Sequence, residues 1–453
     1  MCLGMEDARI AARMKSQLMV SAMSKSSSES SRLASIDAAR GAAMLFVCLS
    51  HFAASYHFAA NAVAGETGDY LRAVGMVASP TFVVVSGMVA GFIAVARKRS
   101  FPHFRRKLVD RGVFLLLVGH AVLAFTGVLG GTGLAYSYSI GYVTDAIGVA
   151  IIIGPWLVVK LRQRSRILLS AALFALDWGA ILFWKPSEGI AGLANQYLVG
   201  LLNPADVGVT FLAFPVIPWF AVYLVGTVIG EHVGAFYVRG SHRHAHLLLA
   251  KIGVSSLTFG VGAKLALILL RRLVPNFAQV HQNLIPLLST YQKYPPGPIY
   301  VCFYAGAGFL LVAGVLEAER RGIQTFLLNR LRQIGHASLF SYVVQFDLYS
   351  VILPRLRLPY TPFWPFLFVF SLVVLTTAAA AWNSIEGNRF LTVGIGPLLE
   401  RNAIRRLNVH EGQIRVDIAA TEEDTQSGGL RVTPTAFDAI YRLSQFQNRK
   451  RVS

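Results

Sequence analysis

About ten stretches of roughly twenty mostly apolar residues recur along this chain, and no soluble domain of useful size interrupts them. They lie near residues 40–60, 76–96, 112–130, 136–159, 167–184, 210–230, 250–270, 298–317, 336–353 and 361–383. A bilayer core takes about 20 helical residues to cross, and only helices and closed barrels satisfy their backbone groups inside it. The chain therefore reads as all-α, a polytopic membrane bundle of about ten transmembrane helices. Only 14% of its residues are charged, against about 25% in a soluble domain. No internal repeat is evident, which weighs against transporters built on inverted repeats.

Three regions follow. Residues 1–34 are Ser-rich with no apolar core, so they read as a disordered cytoplasmic tail rather than a signal peptide. Residues 35–384 form the membrane domain, and the polar residues 385–453 form a second cytoplasmic tail. The net charge of +19 invites a nucleic-acid reading. The positive residues instead sit largely between apolar spans, and no nucleic-acid module is present. Segments 97–111, 160–166, 239–251 and 320–332 together carry eighteen Lys and Arg, while the other five connections carry seven. The positive-inside rule places the first set and both termini in the cytoplasm, with the protein in an inner or plasma membrane. The three cysteines imply no disulfide framework, and no spacing suggests a metal site.

The first span holds Arg40 near its polar start and His51 eleven residues later. That interval is about three turns, or roughly 16 Å, and leaves both side chains on nearly one face. Ser35 is placed to cap this helix, and Asp37 suits its positive end. A histidine inside a membrane is costly and reads as functional, here as a general base for a hydroxyl or amine. Arg40 is either an interfacial anchor or a planar fork for phosphate. Ser86 in the second span is a candidate cofactor contact, but Val84 stands where a nucleophile elbow needs Gly. Gly87 and Gly91 make close helix packing the stronger reading there. Asp145, Asp177 and Lys264 fall in or near spans, as structural ion pairs (Lys264 with either Asp) or as tunnel lining. Tyr342 and Gln345, three residues apart, share a face and bond either a substrate or a neighbouring helix. Lys293-Tyr294-Pro295-Pro296-Gly297-Pro298 forms a turn or a re-entrant piece leading into the eighth span. The cluster His242-Arg243-His244-Ala245-His246 reads as a solvated loop, and Gly130-Gly131-Thr132-Gly133 as a turn.

An arginine, ten residues and a histidine in the first span resemble the acyltransferase-3 superfamily of membrane acyltransferases. Further segments are similar to its branch related to heparan-alpha-glucosaminide N-acetyltransferase: Ser35–Gly41, Ser86-Gly87, Pro215–Gly230, Lys293–Pro298 and Gly335–Tyr342. They occur in order across 35–342. Ser50 stands where relatives often carry an acid, and Gln345 where they often carry histidine. The resemblance implies acyl transfer from cytoplasmic acyl-CoA, most simply acetyl-CoA and without a metal, to a glycan or other small acceptor at or across the membrane. It implies His51 as the base. Arg40, Ser86, Lys293 and Tyr294 are then the cofactor contacts, and Tyr342, Gln345 and Asp145 the substrate contacts. Two readings compete: a proton-coupled transporter using His51, Asp145 and Lys264, and a non-catalytic membrane scaffold. Lipids and the acceptor are the expected partners, and nucleic acid is excluded.

Overall fold

The computed structural model describes residues 34–57, 65–99, 101–183, 214–274, 296–358 and 363–385, together with 198–199, 288, 293, 361 and 387–389. Most of both tails and Tyr294 lie outside these residues. The described residues form helices, with one isolated antiparallel bridge from Lys293 to Pro296.

The helices are α1 (Ala34–Phe52), α2 (Gly65–Gly75), α3 (Ala78–Ala96), α4 (Phe101–Phe114), α5 (His120–Leu129), α6 (Leu134–Ser139), α7 (Val143–Lys160) and α8 (Gln163–Phe183). They continue as α9 (Val216–Val238), α10 (His242–Leu273), α11 (Pro298–Arg320), α12 (Phe326–His336), α13 (Ser338–Asp347), α14 (Leu353–Arg355) and α15 (Trp364–Ser384). Nine helical segments among the described residues are long and apolar enough to cross a membrane. A tenth is a bent pair, α12 with α13–α14, whose axes turn by 89°. The chain is an integral multi-pass helix bundle.

Several boundaries differ from the hydropathy reading. α1 starts at Ala34, so Ser35 sits buried inside the first turn instead of capping it. The basic stretch 97–111 is largely helical, because α4 begins at Phe101 and continues into the third span through a π-helical turn, Leu115–Gly119. The histidine cluster is the first turn of α10 and not a loop. His242 meets the Tyr237 ring edge-on at 4.4 Å, His244 stacks on Phe236 at 5.7 Å, and His246 Nδ1 lies 3.6 Å from Glu317. The ninth span is broken at Ala337 and is not one straight helix.

Glycines set how closely the helices approach. α3 and α9 are the most intimately packed pair. A Cβ on Gly87 or Gly91 would run into the carbonyls of Tyr223 and Thr227, and one on Gly226 or Gly230 into those of Val84 and Met88. The stripe around Ser86 is therefore a packing face, in which backbones touch where side chains are absent. Gly41 and Gly335 play the same part between α1 and α12, meeting Leu331 and Asp37. The main core centres on Trp219, Tyr223 and Tyr300, and a second one, with Met44, Cys48, Phe52 and Tyr349, seats α1 against α13 and α15.

Candidate active site

His51 occupies the last turn of α1, just ahead of a π-helical turn, Ala53–His57. Its neighbour Phe52 is fully buried and fixes the rotation of this end, with its ring 5.2 Å from Phe368, 5.3 Å from Tyr56 and 5.9 Å from Tyr349. Successive helical residues lie about 100° apart, so seating Phe52 in the core turns His51 toward α13. There its ring meets Phe346 at 5.7 Å and Tyr342 at 6.4 Å, both edge-on. Gln345 is the polar neighbour of the imidazole. This side chain is fully buried. Its Nε2 donates to the Tyr342 carbonyl at 2.9 Å, and the side chain is a hydrogen-bonding neighbour of His51.

Lys293 brings a positive charge to bear on this group. Its Nζ lies 4.7 Å from the centre of the Phe214 ring, and its charge reaches His51. Burial, with Arg72 of α2 adding repulsion, pulls the Lys293 ammonium down to a pKa of about 7. A cation beside a base suits an oxyanion forming on a carbonyl that the base helps attack.

A second polar group adjoins the first. His120 opens α5 directly after the π-helical turn Leu115–Gly119, and Asp145 lies in the first turn of α7. His120 Nδ1 is 2.9 Å from Asp145 Oδ2, and Nε2 is 3.1 Å from the Tyr138 carbonyl. Asp145 Oδ2 also accepts the Tyr142 N–H at 2.8 Å, and its Oδ1 is buried with no hydrogen-bond partner among the described residues. The Tyr142 ring bridges the two groups, 5.5 Å from His120 and 6.0 Å from Phe346.

The structure thus brings His51, Tyr342, Gln345 and Lys293 together, with Asp145 on the adjoining wall. Arg40 stays about three turns away at the other end of α1, by the Gly41–Gly335 crossing. Ser86 Oγ donates to the Phe82 carbonyl at 2.8 Å, a bond within its own helix. Asp145 pairs with His120, and Asp177 is buried on α8 with both carboxyl oxygens unbonded by the described residues. Tyr294 lies outside the described residues. His120 is the residue that sequence reasoning missed, although the rule that singled out His51, a histidine inside an apolar span, applies to it equally. A third π-helical turn, Leu348–Ile352, follows Asp347, whose Oδ1 accepts from Thr126 at 2.7 Å. Such turns are rare and concentrate at functional sites, and here each adjoins an intramembrane polar residue.

Curated proteins give no match to the chain. The family described as heparan-alpha-glucosaminide N-acetyltransferase, catalytic, matches residues 32–269. The match runs from α1 into α10 and includes Arg40, His51, Ser86, His120 and Asp145, while Lys293, Tyr342 and Gln345 lie beyond it. Since that segment is more than half of the sequence, the chain belongs to the heparan-alpha-glucosaminide N-acetyltransferase catalytic family, a family of acetyltransferases.

Proposed function

We propose that this protein moves an acetyl group from acetyl-CoA to the amine or hydroxyl of a glycan-type acceptor, with His51 as general base. The observation that carries the reading is the position of His51. It lies in the family-matched first span and faces the buried Gln345 side chain, with Lys293 charge nearby. The Arg40-x10-His51 spacing extends the kinship to the wider acyltransferase-3 superfamily.

The chemistry balances within this group. The acceptor N–H or O–H gives its proton to His51 as its heteroatom attacks the thioester carbonyl. Negative charge gathers on the carbonyl oxygen, where the Lys293 ammonium stabilises it. Collapse of the tetrahedral adduct breaks the C–S bond, and the departing thiolate takes the proton back from His51. Gln345 Oε1 and Tyr342 hold a donor group of the acceptor, and Asp145 lies on the adjoining wall. Arg40, about three turns away on the cytoplasmic side, takes a phosphate of the donor. Both termini are then cytoplasmic, and the protein works in an inner or plasma membrane with the acceptor arriving from the opposite side.

Thiol release from acetyl-CoA by the purified protein, with glucosamine as the probe acceptor, tests the reading. Acceptor-dependent release supports it, and proton-coupled flux in vesicles without thiol release would favour the transporter instead. One observation favours that second reading: Asp145 has an intramembrane histidine partner, as a proton relay requires.

A further inference from the structure

The ends of α7 and α8 form a feature that acetyl transfer does not use. A cleft of about 470 Å³ opens there, lined by Arg162, Gln163, Arg164, Arg166 and Glu231 among others. Arg166 is only 1% exposed, a rare state for an arginine. Its guanidinium ion-pairs with Glu231 and donates to Thr227 Oγ1 at 2.7 Å, while its Nε has no hydrogen-bond partner among the described residues. Gln163 Nε2 donates to the second Glu231 oxygen at 2.8 Å. Glu231 is therefore engaged by Arg166 and Gln163, and the exposed Arg162 and Arg164 leave the lining with a surplus of two positive charges.

Immediately toward the membrane from this cleft, the outer faces of the same two helices turn apolar. Trp156 is 43% exposed, Val159 56%, Ile167 41% and Leu168 70%. Arg105 lies over the Trp156 ring at 3.8 Å, adding a cation beside this wall. A basic cleft at the helix ends, continuous with an exposed apolar wall on the perimeter, matches an amphiphile with an anionic head and not a wholly water-soluble anion. α8 packs chiefly on α9, whereas His51 is on α1, which packs chiefly on α12. The cleft thus stands apart from the candidate active site.

We infer that the α7–α8 cleft binds the phosphate headgroup of an anionic glycerophospholipid, whose chains lie along the outer faces of α7 and α8. Arg162 and Arg164 contact the phosphate, and the Arg166–Glu231 pair ties the start of α8 to α9 behind them. Anionic lipids enrich the cytoplasmic leaflet, the side on which the positive-inside rule puts this connection.

Native mass spectrometry of the delipidated full chain in detergent, titrated with dioleoyl-phosphatidylglycerol or dioleoyl-phosphatidylcholine, tests the inference. The parent retains the anionic lipid about tenfold or more over the zwitterionic one. The double variant Arg162→Gln/Arg164→Gln loses that preference, while Arg271→Gln/Arg272→Gln, an equal charge change at the far end of α10, keeps it. Excess acetyl-CoA or inorganic phosphate leaves the bound phosphatidylglycerol in place. Equal retention of both lipids by the parent overturns the inference, as does an unchanged preference in the Arg162/Arg164 variant. Displacement by acetyl-CoA or phosphate also overturns it, since the cleft would then serve a soluble phosphate.

Discussion

Lys293 titrates where a small change of pH alters its charge. With its ammonium held at about 7, the charge is present below that pH and lost as pH rises through it. If the ammonium stabilises the oxyanion, acetyl transfer falls on the alkaline side of about pH 7. Lys293→Arg keeps a permanent charge and removes that alkaline limb. A parent rate that is flat between pH 7 and 9 would remove Lys293 from the chemistry. Folding stability slopes the other way. The unfolded chain keeps this proton up to a pKa of about 10.4, so the folded state gains stability from this group as pH rises between the two values. Asp145 answers a different question. Asp145→Asn removes the charged partner of His120 and should cost about 1.5–3 kcal/mol, read as a lower melting temperature in detergent. His120 was open to the same rule as His51, but its pairing was not legible from spacing, because the pair joins helices 25 residues apart in sequence. Periodicity reports only neighbours on one helix.

At the scale of the helices, hydropathy found the spans but not how they end or bend. The ninth span looked continuous from 336 to 353, and it is instead broken beside Gly335, at Ala337. The cause lies on another helix: α12 must lie against α1, where only a glycine clears the Asp37 carbonyl. His336 then locks the bend, with its Nδ1 2.8 Å from Asn383 Oδ1 and its carbonyl accepting from Asn388 at 2.9 Å. The small-residue stripe of α3 was legible, since Gly87 and Gly91 recur at helical spacing and the structure buries them against α9. Gly91→Ala should overpack that crossing and cost about 1–3 kcal/mol, measured by thermal melting. Ser86→Ala, which loses only a bond to its own helix, should leave melting temperature and acetyl-CoA affinity near the parent values. A marked fall in that affinity would return Ser86 to the cofactor site.

For the whole molecule, the order of spans and the class of fold were written in the length and apolarity of the segments. The site was half legible: His51 announced itself by its cost, while its partnership with Lys293 depends on a connection whose path no local pattern specifies. The sidedness of the bundle rests on the distribution of Lys and Arg. Single cysteines at Gly133 and Ser165 check it, since both positions are exposed. An impermeant thiol reagent should label the first from outside intact cells and the second only after permeabilisation; the reverse pattern would invert the donor side. The central claim remains that His51 is the base. The most direct measurement compares acetyl transfer from acetyl-CoA to glucosamine by the purified parent and by His51→Gln, alongside acetyl-CoA binding and melting temperature. Gln keeps polar volume and removes the titratable group, so transfer should fall by about 10²–10⁴-fold with folding and acetyl-CoA binding retained. A folded His51→Gln protein that binds acetyl-CoA and transfers at the parent rate would contradict the account.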